Sequence, residues 1–151
     1  MFIETLGQNG QERCRVSEAD CAAINDLLRQ LNPKAGERTV EFIERQLEQI
    51  NRNGGVAVIR EKNGRIVAMG TWTVVPTLMR IEAFASEVSF DQQHPEWRRF
   101  LRELGQYIIN RAKRAKAERI DLTWNQTRPG YKAFLELGFT EADTRLLRLV
   151  L

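Results

Sequence analysis

The chain has 151 residues, of which 42% are hydrophobic and 28% charged, and its net charge is +3, the balance of one globular domain (residues 1–151) with a sizeable core. No apolar run approaches the roughly 20 residues that a membrane helix needs. The opening Met1-Phe2-Ile3-Glu4-Thr5 has neither a basic start nor a long apolar stretch, so a cytoplasmic protein is expected and a membrane partner is not.

In chain order, Phe2 to Leu6 reads as a short strand turned by Gly7-Gln8-Asn9-Gly10, and Arg13 to Val16 as a second strand. Ser17 then caps a helix whose first turn carries Glu18 and Asp20, acids suited to the positive helix end. Ile24, Leu27, Leu28 and Leu31 give it one apolar face before Asn32-Pro33 stops it. A second helix is predicted from about Glu37 to Asn51, with Val40, Ile43, Leu47 and Ile50 as its stripe. Two strand-like runs, Val56–Ile59 and Ile66–Trp72, flank Lys62-Asn63-Gly64-Arg65. Asn-Gly at that place is a strong hairpin signal because both residues tolerate positive φ.

Pro76 ends that strand, and Ile81 to Phe90 forms another extended segment. The longest helix follows, with Trp97, Phe100, Leu101, Leu104, Ile108, Ala112 and Ala115 on one face. Ile120 to Trp124 reads as a strand, Gly130 to Leu137 as a helix stopped by Gly138, and Thr144 to Leu151 as a closing strand. The late strand-helix-strand run implies a parallel pair beside an antiparallel meander, which makes a mixed α/β sheet with helices on both faces.

Charge is unevenly spread. Arg98, Arg99, Arg102, Arg111, Lys113, Arg114, Lys116 and Arg119 stand against only Glu103 and Glu118. This is either a solvated helix face or the footprint of a phosphate-bearing ligand. The densest stretch, Arg111 to Arg119, has no aromatic residue for bases to stack on, which argues against nucleic acid. Cys14 and Cys21 are too few for a disulfide framework and, with the single His94, give no metal-ligand spacing. Both are read as small buried hydrophobes, and no metal is expected.

Three strings share an order with a known family. They are Glu118-Arg119-Ile120-Asp121-Leu122-Thr123, then Asn125-Gln126-Thr127-Arg128 leading to Phe134-Leu135-Glu136-Leu137-Gly138-Phe139, and, upstream, His94-Pro95-Glu96-Trp97-Arg98. Together with the element order they resemble the GNAT superfamily of acetyl-CoA-dependent N-acetyltransferases over roughly residues 13 to 151. The resemblance implies a mostly antiparallel sheet whose fourth and fifth strands splay apart. The pantetheine arm of acetyl-CoA would lie in that gap against main-chain groups of Val88 and Phe90, with Asn125 hydrogen-bonding it. The pyrophosphate would rest on the N-terminus of the long helix. There the family has a glycine-rich loop, whereas this chain reads Arg98-Arg99-Phe100-Leu101-Arg102-Glu103. Arg98, Arg99 and Arg102 are therefore the candidate phosphate ligands; so placed, they oppose the helix dipole.

Direct acetyl transfer to an amine needs a base for the ammonium proton and an acid for the leaving thiolate. Glu87 is the first candidate base because it interrupts the small or apolar run Ala83 to Phe90; the alternative is a rim residue paired with an arginine. Glu82 is the second. Their odd separation puts them on opposite faces of an ideal strand unless a bulge intervenes, as it often does in the family. The tyrosine that the family usually uses as acid corresponds to Phe134. Tyr131 lies about 5 Å back along the helix, as either the acid or an ordinary surface residue. Trp72 and Trp124 wall either an acceptor pocket or the core, and His94 is read as structural. The acceptor is a small-molecule or protein amine of unspecified class. The rival reading is a GNAT fold that has lost catalysis, motivated by the missing glycines and by Phe134. A homodimer through the apolar closing strand is plausible on the same pattern.

Overall fold

The computed structural model describes residues 1–8, 14–125, 127–144 and 146–151. The expected positions Asn9, Gly10, Arg13 and Gln126 lie outside the described residues, as does Arg145 within the predicted closing strand.

Five strands form one sheet in the order β1-β2-β3-β4-β5: β1 Phe2–Thr5, β2 Gly54–Arg60, β3 Ile66–Pro76, β4 Ile81–Phe90 and β5 Arg119–Leu122. The first four pair antiparallel, while β5 returns parallel to β4 after the long helix α3 (Trp97–Arg114), as the late strand-helix-strand pattern predicts. α1 (Glu18–Leu31) and α2 (Val40–Ile50) cover one face; α3 and α4 (Tyr131–Glu136) cover the other. Two cores result. Val56, Val58, Ile66 and Met69 meet Ile24, Leu27, Ile43 and Leu47 on the first face. Ile59, Val67, Trp72, Val88 and Phe90 meet Phe100, Leu101, Leu104 and Ile108 on the second.

Ser17 accepts from the Asp20 N–H and caps α1 as predicted. α2 starts at Val40, the first residue of its apolar stripe and three residues after the predicted start at Glu37. Thr39 accepts from the Phe42 N–H, a cap of the kind that typically contributes about 1 kcal/mol. In the β2–β3 hairpin only Gly64 takes a positive φ (+89°). Asn63 instead uses its side chain, accepting from the Arg65 N–H at 2.9 Å. Gly138 ends α4 at φ +95°. Gly105 lies inside α3, where a Cβ would come within 2.5 Å of Leu137 Cδ1, so it serves helix packing rather than a phosphate loop.

Two expected strands do not form. Cys14 to Val16 carries no ladder: the Val16 N–H donates to Glu44 Oε1 at 2.9 Å and the Cys14 thiol faces the Gly7 carbonyl. A side chain has replaced the neighbouring strand, and the segment contributes only buried Cys14 and Val16. Among the described residues of Thr144 to Leu151 there is likewise no strand, and Leu146, Leu147, Leu149, Val150 and Leu151 are exposed. Its apolar residues stand in two runs, Leu146-Leu147 and Leu149-Val150-Leu151, so the segment lacks the alternation that would let a strand bury one face and wet the other. The β5 edge is left without a further strand among the described residues.

Candidate functional site

The sheet's one irregularity in β4 organises the site. Between Met69 and Thr71 of β3 the register slips by one, because β4 spends an extra residue at Glu87–Val88. Glu87 takes φ +50°, a left-handed conformation that a non-glycine residue adopts at a cost of order 1 kcal/mol or more. The bulge resets the alternation. Ser86 faces Thr71 and Glu82 faces Val75, so Glu82 and Glu87, five apart, come to the same face. That face is the one covered by α1 and α2.

The two carboxylates differ in company. Glu82 is held by Arg119 Nη2 at 2.9 Å and Arg80 Nε at 3.8 Å, and its side chain is only 15% exposed. Glu87 has no arginine within ion-pair distance among the described residues; it accepts from Thr71 Oγ1 at 3.1 Å and is exposed. It stands in the wall of a cleft of about 370 Å³ between α1, α2 and the sheet.

Just past the bulge, β4 and β5 part. They pair only from Glu82/Arg119 to Ala85/Leu122, whereas β4 continues to Phe90. The Asp91 N–H bonds the Val67 carbonyl and Ser89 pairs with Met69, so by antiparallel alternation the main-chain groups of Phe90 and the carbonyl of Val88 turn toward the β5 side. That strand edge has no strand partner among the described residues. Arg128 reaches it: Nη2 donates to the Val88 carbonyl at 3.3 Å and the guanidinium lies 4.5 Å from the Trp124 ring centroid. Burial pushes the Arg128 pKa down, and among the described residues its buried Nε has no hydrogen-bond partner. Sequence reading passed over this arginine, which sits three residues after Asn125 with nothing in its spacing to announce burial.

At the far end of the gap stands the α3 N-terminus. No side chain caps it, and its first turn is free of acids. Phe90 stacks on Trp97 (centroids 5.0 Å apart), and the Arg98 guanidinium lies 4.6 Å from the Trp97 ring centroid, which links the end of β4 to the helix start. Arg99 is engaged along the helix with Glu96 (3.0 Å) and Glu103 (2.8 Å), and these partners raise its pKa. Arg98 and Arg102 have no ion-pair partner among the described residues. The three arginines are thus not equivalent: Arg99 is paired with two carboxylates, whereas Arg98 and Arg102 are exposed without an ion-pair partner among the described residues.

Asn125 is exposed and accepts from the Thr127 N–H (3.0 Å) and hydroxyl (2.8 Å), organising the turn before α4. Phe134 is buried against Trp124 and Phe139. The Tyr131 hydroxyl donates to Glu141 Oε1 at 2.5 Å, and this bond raises the tyrosine pKa. Trp72 is core, 3% exposed. His94 packs on Phe100, accepts from the Glu96 N–H at Nδ1 and meets Glu61 Oε1 at 3.2 Å through Nε2, a structural arrangement. Cys14 and Cys21 are free and buried, and burial raises the Cys21 thiol pKa. Among the described residues no three metal-ligating side chains gather, and no helix is long and apolar enough to cross a membrane.

Several solved structures share this architecture. A glucosamine-6-phosphate N-acetyltransferase from Arabidopsis thaliana superposes with a TM-score of 0.76 at 16% identity, covering 98% of this chain and 97% of that one. An acetyltransferase from Trypanosoma brucei gives 0.72 at 18% identity, over 93% and 99% of the two chains. A transcriptional regulator from Bacillus halodurans gives 0.71 at 20%, over 91% and 97%. At such identities the likeness shows the fold, which is that of the GNAT acetyltransferases, the fold the sequence resemblance implied. A scan against protein-family models finds no match, and a search of the curated proteins finds none.

Proposed function

We propose that this protein is a GNAT-type N-acyltransferase that moves an acetyl or similar acyl group from coenzyme A directly to a primary amine. The observation that carries the reading is the β4 edge at Val88–Phe90, which has no strand partner among the described residues and opens beside a bulge bearing an exposed carboxylate. Such an edge offers main-chain groups to the amides of a pantetheine arm, as an added strand would. The uncapped α3 N-terminus offers N–H donors to a pyrophosphate, and Arg98 and Arg102 supply the charge that a glycine loop supplies by close approach. The residues present therefore fit an acyl-CoA.

The acyl thioester contributes the electrophile. Glu87 contributes the base, taking the ammonium proton so that the neutral nitrogen can form the C–N bond as the C–S bond breaks. Glu82, held between two arginines, has a structural part. The Tyr131 hydroxyl, spent on Glu141, is not needed as the acid, because a thiolate is a good leaving group that water can protonate. Asn125 shapes the turn that carries Arg128 to the gap.

The test is calorimetric titration with acetyl-CoA, followed by thiol release in the presence of amines. Micromolar binding that weakens in Arg98→Ala supports the reading. No binding of acetyl-CoA or free CoA overturns it. It would favour the rival reading, a fold kept for binding without catalysis, which draws on Arg128 already occupying the Val88 carbonyl.

A further inference from the structure

The cleft beside Glu87 has a distinct chemistry. Ile24, Leu28 and Leu31 of α1 form one wall, and Phe42, Ile43 and Leu47 of α2 form the other. Met69 and Thr71 supply the sheet side, and Glu87 is the only acid among the described lining residues. Arg38 is the only cation among the described lining residues. Its backbone is clasped by buried Asn25, whose Oδ1 accepts from the Arg38 N–H and whose Nδ2 donates to the Arg38 carbonyl, each at 2.8 Å. Its guanidinium lies 5.0 Å from the Phe42 ring centroid. Among its described lining residues the cleft thus has one carboxylate, one cation, and walls that are hydrocarbon apart from the amides of Asn32 and Gln46.

Resting on the acyl-transfer reading, we infer that the acceptor is a primary amine carried on an apolar body, such as an aralkyl or long-alkyl amine. Its nitrogen sits at Glu87 and its hydrocarbon lies between α1 and α2. One carboxylate neutralises one ammonium; a polyamine would leave further charges against a lining with no second acid among its described residues, where the neutral amides of Asn32 and Gln46 do not repay the desolvation of an ion. An amino sugar would bring several hydroxyls to a mostly apolar lining whose neutral polar side chains are Asn32, Gln46 and Thr71, the last already bonded to Glu87. Unpaired polar groups lose affinity, whereas hydrocarbon gains it in proportion to the area removed from water. A volume of about 370 Å³ is at the lower end of ordinary small-ligand pockets and suits a single ring or a chain of similar bulk.

The experiment compares 2-phenylethylamine and octylamine with spermidine and glucosamine as acceptors. It is paired with a nuclear magnetic resonance titration of the protein with 2-phenylethylamine alone. Expected are a kcat/KM at least about tenfold higher for the two apolar amines and shifts centred on Leu28, Phe42, Thr71 and Glu87. In Leu28→Gln, the KM for 2-phenylethylamine should rise several-fold while acetyl-CoA affinity is unchanged. Preference for spermidine or glucosamine overturns the inference, as does acetyl-CoA binding without cleft shifts; both leave the acyl-transfer reading intact. Failure to bind acetyl-CoA overturns both, and calorimetry tells that case apart.

Discussion

Two openings meet at the β4 bulge, and they are built from opposite materials. The gap between β4 and β5 offers main-chain groups at Val88 and Phe90, with Arg98, Arg102 and Arg128 around it. The cleft between α1 and α2 offers leucine, isoleucine and phenylalanine side chains with one acid. Glu87 and Val88 are neighbours in sequence, yet one serves the cleft and the other the gap. An extra residue in a strand is what lets consecutive positions address two compartments, and the left-handed Glu87 is the conformational cost of that arrangement.

The largest effect should come from breaking the shared boundary. Glu87→Gln is expected to lower kcat/KM for amine acetylation by about 10² to 10⁴, the usual worth of a general base, with acetyl-CoA affinity unchanged. Glu82→Gln, in contrast, should change turnover by less than about threefold and act mainly on stability, since Arg80 and Arg119 lose its carboxylate and Arg119 keeps only the longer contact to Asp121. Steady-state kinetics on the pair decide the assignment. Equal losses would mean that the bulge does not select between them.

On the gap side, the arginines should separate. Arg98→Ala and Arg102→Ala should each weaken acetyl-CoA binding by about tenfold, the loss of one charge-assisted contact. Arg99→Ala should weaken it less than about twofold, because Glu96 and Glu103 already neutralise that guanidinium. Calorimetry at low and high salt checks this. The first two variants should also flatten the salt dependence.

Arg128 gives a smaller effect of opposite sign. Its donation to the Val88 carbonyl satisfies the strand edge while the gap holds no arm, and it must give way before another donor can pair there. Arg128→Ala should therefore tighten acetyl-CoA binding by about threefold, the net worth of one modest hydrogen bond. A tenfold weakening would instead make Arg128 a ligand contact.

The two openings were not equally legible in the sequence. Element order, the apolar stripes of α1, α2 and α3, and the strings around Ile120 and Leu137-Gly138-Phe139 pointed to the fold, because periodicity and turn chemistry are local. The two missing strands failed for a tertiary reason: Val16 found the Glu44 side chain, and the C-terminal leucines found no layer to pack on. At the site, Glu87 was conspicuous as an acid in an apolar run, and the bulge that puts Glu82 on its face was a stated condition. What did not show was which acid had arginines around it, since Arg80 is local but Arg119 arrives from β5. The three arginines of α3 looked alike; only i,i+3 and i,i+4 geometry set Arg99 apart. The chemistry of the cleft was hidden for the same reason, because it joins two helix faces whose apolar stripes each read as core.

The smallest effect is expected at Tyr131, on the helix that borders the gap. Its hydroxyl is bonded to Glu141 and the buried Phe134 occupies the position one turn on, so neither aromatic offers a free phenol to a departing thiolate. Tyr131→Phe should leave kcat within about twofold, well short of the factor that general acid catalysis supplies. The same bond fixes a pH sign. Glu141 raises the tyrosine pKa above its unfolded value, so its small contribution to stability is fully present below the ordinary tyrosine pKa and is lost as pH rises through the folded value. Ultraviolet difference titration of Tyr131 in a Tyr107→Phe background should show late ionisation that returns toward normal in Glu141→Gln. A tenfold loss of kcat in Tyr131→Phe, with acetyl-CoA affinity intact, would show that the hydroxyl leaves Glu141 during turnover and would place an acid in the gap after all.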